Sequence, residues 1–258
     1  GDPGAGRNRP PRGPGRVTSV PAADFAAADA ELAGTLESLD GADRYAAWIF
    51  ELIRPHLGPS ILEVGAGHGT FTGNLSEGRR VLATDLSERC VAVLRERFAG
   101  DPDVEVRLGD LSACDGAGPF DTAVLVNVLE HIDDDRGALD QLRSLLRPGS
   151  GRLVLWVPAL AALYSGFDRR IGHHRRYDTA GLRRLLDAAG FDVVEVRYVN
   201  VLGAIAWWVF AVRMGRNPTG KGPVRLFDRF GVPVARRLES RFRPPFGQSL
   251  FAVASRRT

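Results

Sequence analysis

Sulfur is scarce in this chain: two cysteines, Cys90 and Cys114, and one methionine among 258 residues. Two thiols make neither a disulfide framework nor a metal-ligand spacing, so the expected compartment is a reducing cytoplasm. Lysine is almost missing too, with Lys221 alone beside 33 arginines. A bias that uniform resembles the imprint of a GC-rich coding sequence more than a selection for phosphate contacts, and no nucleic-acid partner is expected. No apolar run is long enough to span a bilayer, and nothing near the N-terminus has the basic-then-apolar profile of a secretion signal. The composition, 44% hydrophobic and 25% charged, is that of an ordinary globular chain near the upper size for one core.

The formal charge of +3 hides an asymmetry: residues 197–258 sum to +10 and residues 1–196 to −7. A cationic C-terminal segment suits an anionic ligand or a membrane surface, although arginines on a solvated face are the commoner explanation.

Residues 1–21 are too rich in Gly, Pro and Arg to bury a core and are expected to be a flexible tail. From 22 to 58 apolar residues recur at helical spacing, with Tyr45, Trp48, Ile49, Leu52 and Ile53 on one stripe, which predicts an N-terminal helical lid. Short apolar runs then alternate with amphipathic stretches. Strands are expected at 60–64, 80–85, 104–110, 120–127, 152–158, 191–199 and 249–255, and helices at about 69–77, 87–99, 134–147 and 179–189. That alternation predicts an α/β, Rossmann-like doubly wound sheet, with a core formed by 59–199 and 246–258. Residues 200–245 exceed any ordinary connection and are expected to form a cap over the substrate. Within it, the apolar run Val201 to Val212 is expected as a buried cap helix first, a dimer contact second and an interfacial helix third.

The strongest local signal is 61-ILEVGAGHGTFTGNL-75, a buried strand running into a glycine turn and then a helix. Gly65, Gly67 and Gly69 permit positive φ and remove Cβ atoms, so a ligand can approach the backbone at the C-terminal sheet edge. A dinucleotide fingerprint would need glycine where Thr70 stands. The pattern is instead E-x-G-x-G-x-G, starting at Glu63.

With Asp85, Asp110 and Asn127 at the ends of the next strands, the chain resembles the class I S-adenosylmethionine-dependent methyltransferases over roughly residues 42–199 and the final strand. The resemblance implies a seven-stranded sheet of order 3-2-1-4-5-7-6 with the last strand antiparallel, and S-adenosyl-L-methionine as cofactor with S-adenosyl-L-homocysteine as product. It also implies a cofactor site. Glu63, Gly65, Ala66, Gly67 and Gly69 would form the cradle for the methionine and ribose parts. Asp85, with Leu86 after it, would accept the ribose hydroxyls, Asp110 and Leu111 would meet the adenine, and Asn127 would lie beneath the sulfonium. Each residue alone has a plainer account, as a tight turn or a helix cap.

The loop after the fifth strand, 164-YSGFDRRIGHHRRYD-178, emerges where a transferable methyl would lie. Tyr164, Asp168, His173 and His174 are the candidate catalytic residues, one histidine acting as a base. Tyr45, Trp48, His131, Phe167, Tyr177, Trp207 and Trp208 are the candidate substrate-binding residues. The chain is also similar to a bacterial branch of the superfamily with a Tyr and Trp helix before the glycine turn, a G-H-x-R-R-Y segment and a P-F-G-x-S-L segment. Here these are Tyr45 to Trp48, Gly172 to Tyr177 and Pro245 to Leu250, and the branch implies small-molecule or lipid-linked acceptors. No metal is expected: some related quinone O-methyltransferases bind one through Glu-x-x-Glu-His, but Asn127 stands where the first glutamate would be, ahead of Glu130 and His131.

The expected function is methyl transfer to a small, aromatic or heterocyclic acceptor on nitrogen, oxygen or a ring carbon such as that of indole. The alternatives are a membrane-surface enzyme acting on a prenyl- or lipid-linked acceptor and a non-catalytic cofactor-binding protein. A monomer or homodimer with at most peripheral membrane contact is expected.

Overall fold

The computed structural model describes residues 41–215 and 220–258. The expected tail and the first part of the expected N-terminal helix lie outside the described residues. Helix α1 (Asp43–Ile53) leads into β1 (Ser60–Val64), α2 (Thr72–Ser76), β2 (Arg80–Asp85), α3 (Glu88–Arg97), β3 (Val104–Leu108) and β4 (Thr122–Val126). Then come α4 (Asp135–Leu145), β5 (Arg152–Pro158), α5 (Gly166–Arg170), α6 (Thr179–Ala188) and β6 (Phe191–Val199). Helix α7 (Val201–Trp207) continues as a π-helical turn over Trp208–Arg213. A second run joins α8 (Lys221–Leu226), a π-helical turn at Phe227–Gly231 and α9 (Val232–Glu239), and β7 (Ser249–Arg256) follows.

The seven strands lie in the order β3-β2-β1-β4-β5-β7-β6, as the resemblance implies, with β7 antiparallel to both β5 and β6. Side chains alternate across the sheet, so each strand feeds two cores. Leu62, Leu125, Leu155 and Ala252 pack with α4 and α6 on one side. Ile61, Val124, Trp156 and Phe251 pack on the other side, where α1 contributes Trp48, Ile49 and Ile53 and α3 contributes Leu94. Helix starts follow from short polar caps: Asp134 accepts from Gly137 N (2.8 Å), and Asp178 accepts from Gly181 N (2.7 Å).

Because β1 to β5 run parallel, their C-terminal ends share one edge, where open α/β sheets bind ligands. Backbone strain collects there. Asn127, Leu160 and Asn200, which follow β4, β5 and β6, take φ of 54°, 63° and 66°. Asparagine tolerates that region, but leucine does so only at a cost of order 1 kcal/mol or more. Leu160 is held in it by its N–H donating to Tyr177 O (2.8 Å) and its carbonyl accepting from Leu163 N (2.9 Å).

Candidate active site

The glycine turn leaves β1 with φ of 69° at Gly65, 56° at Gly67 and 80° at Gly69, a conformation that L side chains resist. At Gly65 space is also short, since a Cβ would lie 2.4 Å from Val128 Cγ2. Asp85, at the end of β2, anchors the turn: its Oδ2 accepts from Gly67 N (2.8 Å) and its Oδ1 from Ser87 N (2.9 Å). Leu86 follows with its side chain exposed, an apolar ledge beside that carboxylate.

Glu63 is buried beneath the turn, where Thr72 Oγ1 donates to its Oε2 (2.6 Å). Burial pushes this carboxyl up to about 8, against the Thr72 hydroxyl and with help from Asp85, so Glu63 is protonated at neutral pH. Asp110 caps the turn after β3, its Oδ1 accepting from Ser112 N (2.8 Å) and Ser112 Oγ (2.6 Å). Asp110 is exposed and Leu111 buried. Asn127 N–H donates to Trp156 O (2.7 Å), tying the β4 and β5 ends together. This edge thus offers two carboxylates, a glycine turn and an apolar ledge. Such a donor set fits a cationic sulfonium joined to a ribose diol better than it fits a pyrophosphate.

The second half of the site is built by the β5–α6 loop folding back over the β4 end. Asp168, fully buried, is the hub. Its Oδ2 accepts from Ser165 N (2.8 Å) and Ser165 Oγ (2.9 Å), and its Oδ1 from Arg176 Nε (2.8 Å), with His173 Nδ1 2.9 Å away. Burial alone would raise this carboxyl, but the hydrogen bonds from His173, Arg176 and Ser165 outweigh it and hold Asp168 down at about 2. An ionised Asp168 makes Nδ1 the protonated nitrogen of His173 and leaves Nε2 free. Nε2 lies 3.7 Å from Glu130 Oε1.

Glu130 is fully buried, and neither of its carboxyl oxygens has a hydrogen-bond partner. Burial pushes it up to about 8, against the pull of Arg176. His131 packs edge-on against His173, with ring centroids 4.7 Å apart, and burial followed by the proximity of His173 holds it down at about 3. Glu130, His131 and His173 each bring one ligand-capable atom within 4.8 Å of the others. The Asn127 reading excluded a metal on the spacing of one segment, and spacing could not show that His173 joins Glu130 and His131 from another loop.

The structure brings some expected residues together and sets others apart. Tyr164 hydroxyl donates to His173 O (2.7 Å), and Tyr177 hydroxyl to Asp135 Oδ2 (3.0 Å). Phe167 meets Trp207 edge-on at 5.3 Å, Arg176 stacks on the Trp207 ring at 5.1 Å, and Trp207 Nε1 donates to Leu163 O (3.0 Å). Trp207 is therefore tied to the histidine loop. His174, by contrast, points to the surface, its Nδ1 3.6 Å from exposed Asp133. Tyr45 and Trp48 pack inward: Tyr45 lies edge-on to Trp156 at 6.0 Å, and Trp48 is 4% exposed. Trp208, adjacent to Trp207, is 48% exposed. Sequence reasoning leaves Ser165 without a role and weighs Glu130 only as a metal ligand. The Ser165-x-x-Asp168 spacing was the readable sign of the capping box that starts α5.

Fold and site together define a Rossmann-like protein of the S-adenosylmethionine-dependent methyltransferase class. A family model described as "Methyltransferase domain" matches residues 35–196, more than half of the chain, and the chain belongs to that family. A Mycolicibacterium smegmatis protein named as a probable S-adenosylmethionine-dependent methyltransferase is 31% identical over 142 residues, covering 54% of this chain and 54% of that one. A demethylmenaquinone methyltransferase of Clavibacter sepedonicus is 34% identical over 123 residues, 45% of this chain and 49% of that one. The chain spans about half the length, or less, of the curated relatives it matches. A methyltransferase solved with the Haloferax volcanii Trm112 activator has the same fold, with a TM-score of 0.60 and 19% identity over 93% of this chain and all of that one.

Proposed function

We propose that this chain moves a methyl group from S-adenosylmethionine to a small acceptor carrying an aromatic or heterocyclic ring, at nitrogen, oxygen or a nucleophilic ring carbon, with His173 taking the acceptor's proton. The observation that carries the reading is the Asp168–His173 pair, buried at the β5 end beside Glu130 and His131.

The bound cofactor supplies an activated methyl on a cationic sulfur. The chain contributes binding, alignment and proton handling. In this reading Asp85 accepts the ribose hydroxyls, Leu86 and Leu111 flank the adenine with Asp110 facing its amino group, and Glu63, Ala66 and the three glycines shape the cradle. Asn127 holds the β4 end beneath the reacting carbon. Asp168 keeps the His173 proton on Nδ1, so Nε2 is the nitrogen left to act as the base. Glu130, carrying its own proton, adds no negative charge that would compete for the proton in transit. Phe167, Trp207, Tyr164 and Tyr177 fix the loop that carries His173. The likeness to a demethylmenaquinone methyltransferase supports an acceptor with an apolar ring.

The test is mass spectrometry of the chain incubated with S-adenosylmethionine and a panel of phenolic, indolic and quinol acceptors, read as gain of one methyl. His173→Ala and Asp168→Asn are expected to lower turnover by roughly 10²–10⁴-fold with cofactor affinity unchanged, the usual loss of general-base catalysis. His174→Ala is expected to leave turnover intact. Full turnover by both His173→Ala and Asp168→Asn would remove the base from this reading, and loss of turnover on adding a chelator would replace proton handling by metal chemistry.

A further inference from the structure

The helical segment between β6 and β7 carries two acidic side chains, Asp228 and Glu239, and both are buried. Asp228 accepts from Arg44 N (3.3 Å) and Tyr45 N (2.8 Å) at the start of α1. Glu239 accepts from Asn200 N (3.1 Å) and Val201 N (2.9 Å) at the start of α7. Each satisfies free N–H groups at a helix start, where the helix dipole favours an anion. The acids are spent inward, and the exposed charged side chains described in this segment are arginines.

Those arginines are ordered. Leu226, Phe230, Val234, Leu238 and Phe242 stand at steps of four along α8, the π-helical turn, α9 and the turn after it, each 42% to 63% exposed. One position before four of them are Arg225, Arg229, Arg237 and Arg241, all exposed. A step of four overshoots the α-helical turn of roughly 3.6 residues, so the stripe would wind around a plain α-helix. The wider π-helical turn at Phe227–Gly231 takes up part of that drift and keeps the apolar row beside its arginine row. On the other run, Trp208, Phe210 and Met214 are exposed, and Arg213 lies over the Trp208 ring at 5.7 Å.

We propose that this face of the helical segment docks on the surface of an anionic lipid bilayer. The apolar rows enter the boundary between headgroups and acyl chains, and the arginines meet lipid phosphates, as surface-lying amphipathic helices do. The charge pattern selects this occupant. A second copy of the face would set arginine against arginine with no exposed acid in the segment to offset them. Nucleic acid would use the arginines and leave ten exposed large apolar side chains, five on each run, in water. No helix among the described residues is long and apolar enough to cross a membrane, so the docking lies on the surface. The inference stands apart from the proposed base chemistry, since it uses none of the residues assigned there.

Three of the four tryptophans, Trp48, Trp156 and Trp207, are buried, and Trp208 is the exposed one. Its emission therefore reports docking. The test mixes the full chain with vesicles of phosphatidylcholine alone or with added phosphatidylglycerol, and with duplex DNA, at low and high salt. Co-sedimentation with the anionic vesicles only, lost at high salt, is expected, with a blue shift of emission that Trp208→Phe abolishes. A charge near an anionic surface is worth about 1 kcal/mol, or about fivefold, so Arg237→Glu, which changes two units, is expected to weaken binding about 25-fold. Leu238→Ser with Phe242→Ser is expected to remove the anchoring while the fold survives, since both side chains are exposed. Failure of the full chain to sediment with anionic vesicles at low salt overturns the proposal. So does binding to DNA without binding to vesicles, or sedimentation as a dimer that Leu238→Ser disperses.

Discussion

Glu130→Gln isolates the electrostatics of the site from its chemistry. The buried carboxyl of Glu130 has risen from 4.5 to about 8, and each tenfold change in proton affinity is worth about 1.4 kcal/mol. Ionising it inside the fold thus costs on the order of 5 kcal/mol, an upper bound because local opening admits water. A raised carboxyl stabilises the fold only while its proton stays on. Between pH 4.5 and about 8 the unfolded chain has released a proton that the folded chain retains, so stability falls as pH rises through that window and levels off above it. Glu63 titrates over the same range with the same sign. His131, lowered from 6.5 to about 3, has the opposite sign over its own window, where stability rises with pH. The useful interval is therefore pH 6.5 to 8, where both carboxyls still hold most of their protons in the fold and the contribution of His131 is fading. There the wild-type slope is negative, and Glu130→Gln is expected to make it shallower by a little less than one proton, about 1 kcal/mol per pH unit. Urea unfolding at constant ionic strength across that interval measures both, with equal m-values as the check on comparable unfolded states. Equal slopes for wild type and variant would refute a protonated, unpartnered Glu130. Loss of turnover in Glu130→Gln together with the expected change of slope would make Glu130 a group that ionises during the reaction.

Two further outcomes follow from the cofactor edge. Asp85→Ala is expected to weaken S-adenosylmethionine by about 1–3 kcal/mol in titration calorimetry, the scale of a lost charge-assisted hydrogen bond, and unchanged affinity would place the ribose elsewhere. Gly65→Ala is expected to lower unfolding stability by more than about 1 kcal/mol, because φ of 69° disfavours an L residue and the new methyl would meet Val128 at 2.4 Å. A variant as stable as wild type would mean that Val128 yields.

The sheet was legible because its central strands β1, β2, β4, β5 and β7 are buried on both faces, while the half-exposed edge strands β3 and β6 still carry regularly spaced apolar residues. Ser60–Val64, Arg80–Asp85, Arg152–Pro158 and Phe191–Val199 carry the bounds that their apolar runs announce. The ends were less legible: the strand expected at 104–110 stops at Leu108, where Gly109 takes φ of 139° and Asp110 turns to cap the next segment. The cofactor edge could be read because its residues are local in sequence, a glycine turn and single residues at strand ends. The histidine site could be read only as a list of residue types. What organises it is Asp168, and its partners Ser165, His173 and Arg176 say nothing in sequence about which histidine it will hold.

The helical segment before β7 shows a related limit. Its net positive charge was countable from the sequence, but the count cannot distinguish a solvated arginine face from a docking face. The difference lies in where the two acids go. Had Asp228 and Glu239 pointed outward, they would have neutralised neighbouring arginines and left a mixed, soluble surface. Turned inward, each serves a backbone of another element, α1 in one case and α7 in the other. The same contacts that tie the segment to α1 and to the start of α7 therefore strip its outer face of negative charge, so anchoring the cap and charging its surface are one structural event. Asp228→Asn and Glu239→Gln would loosen the first while barely changing the second.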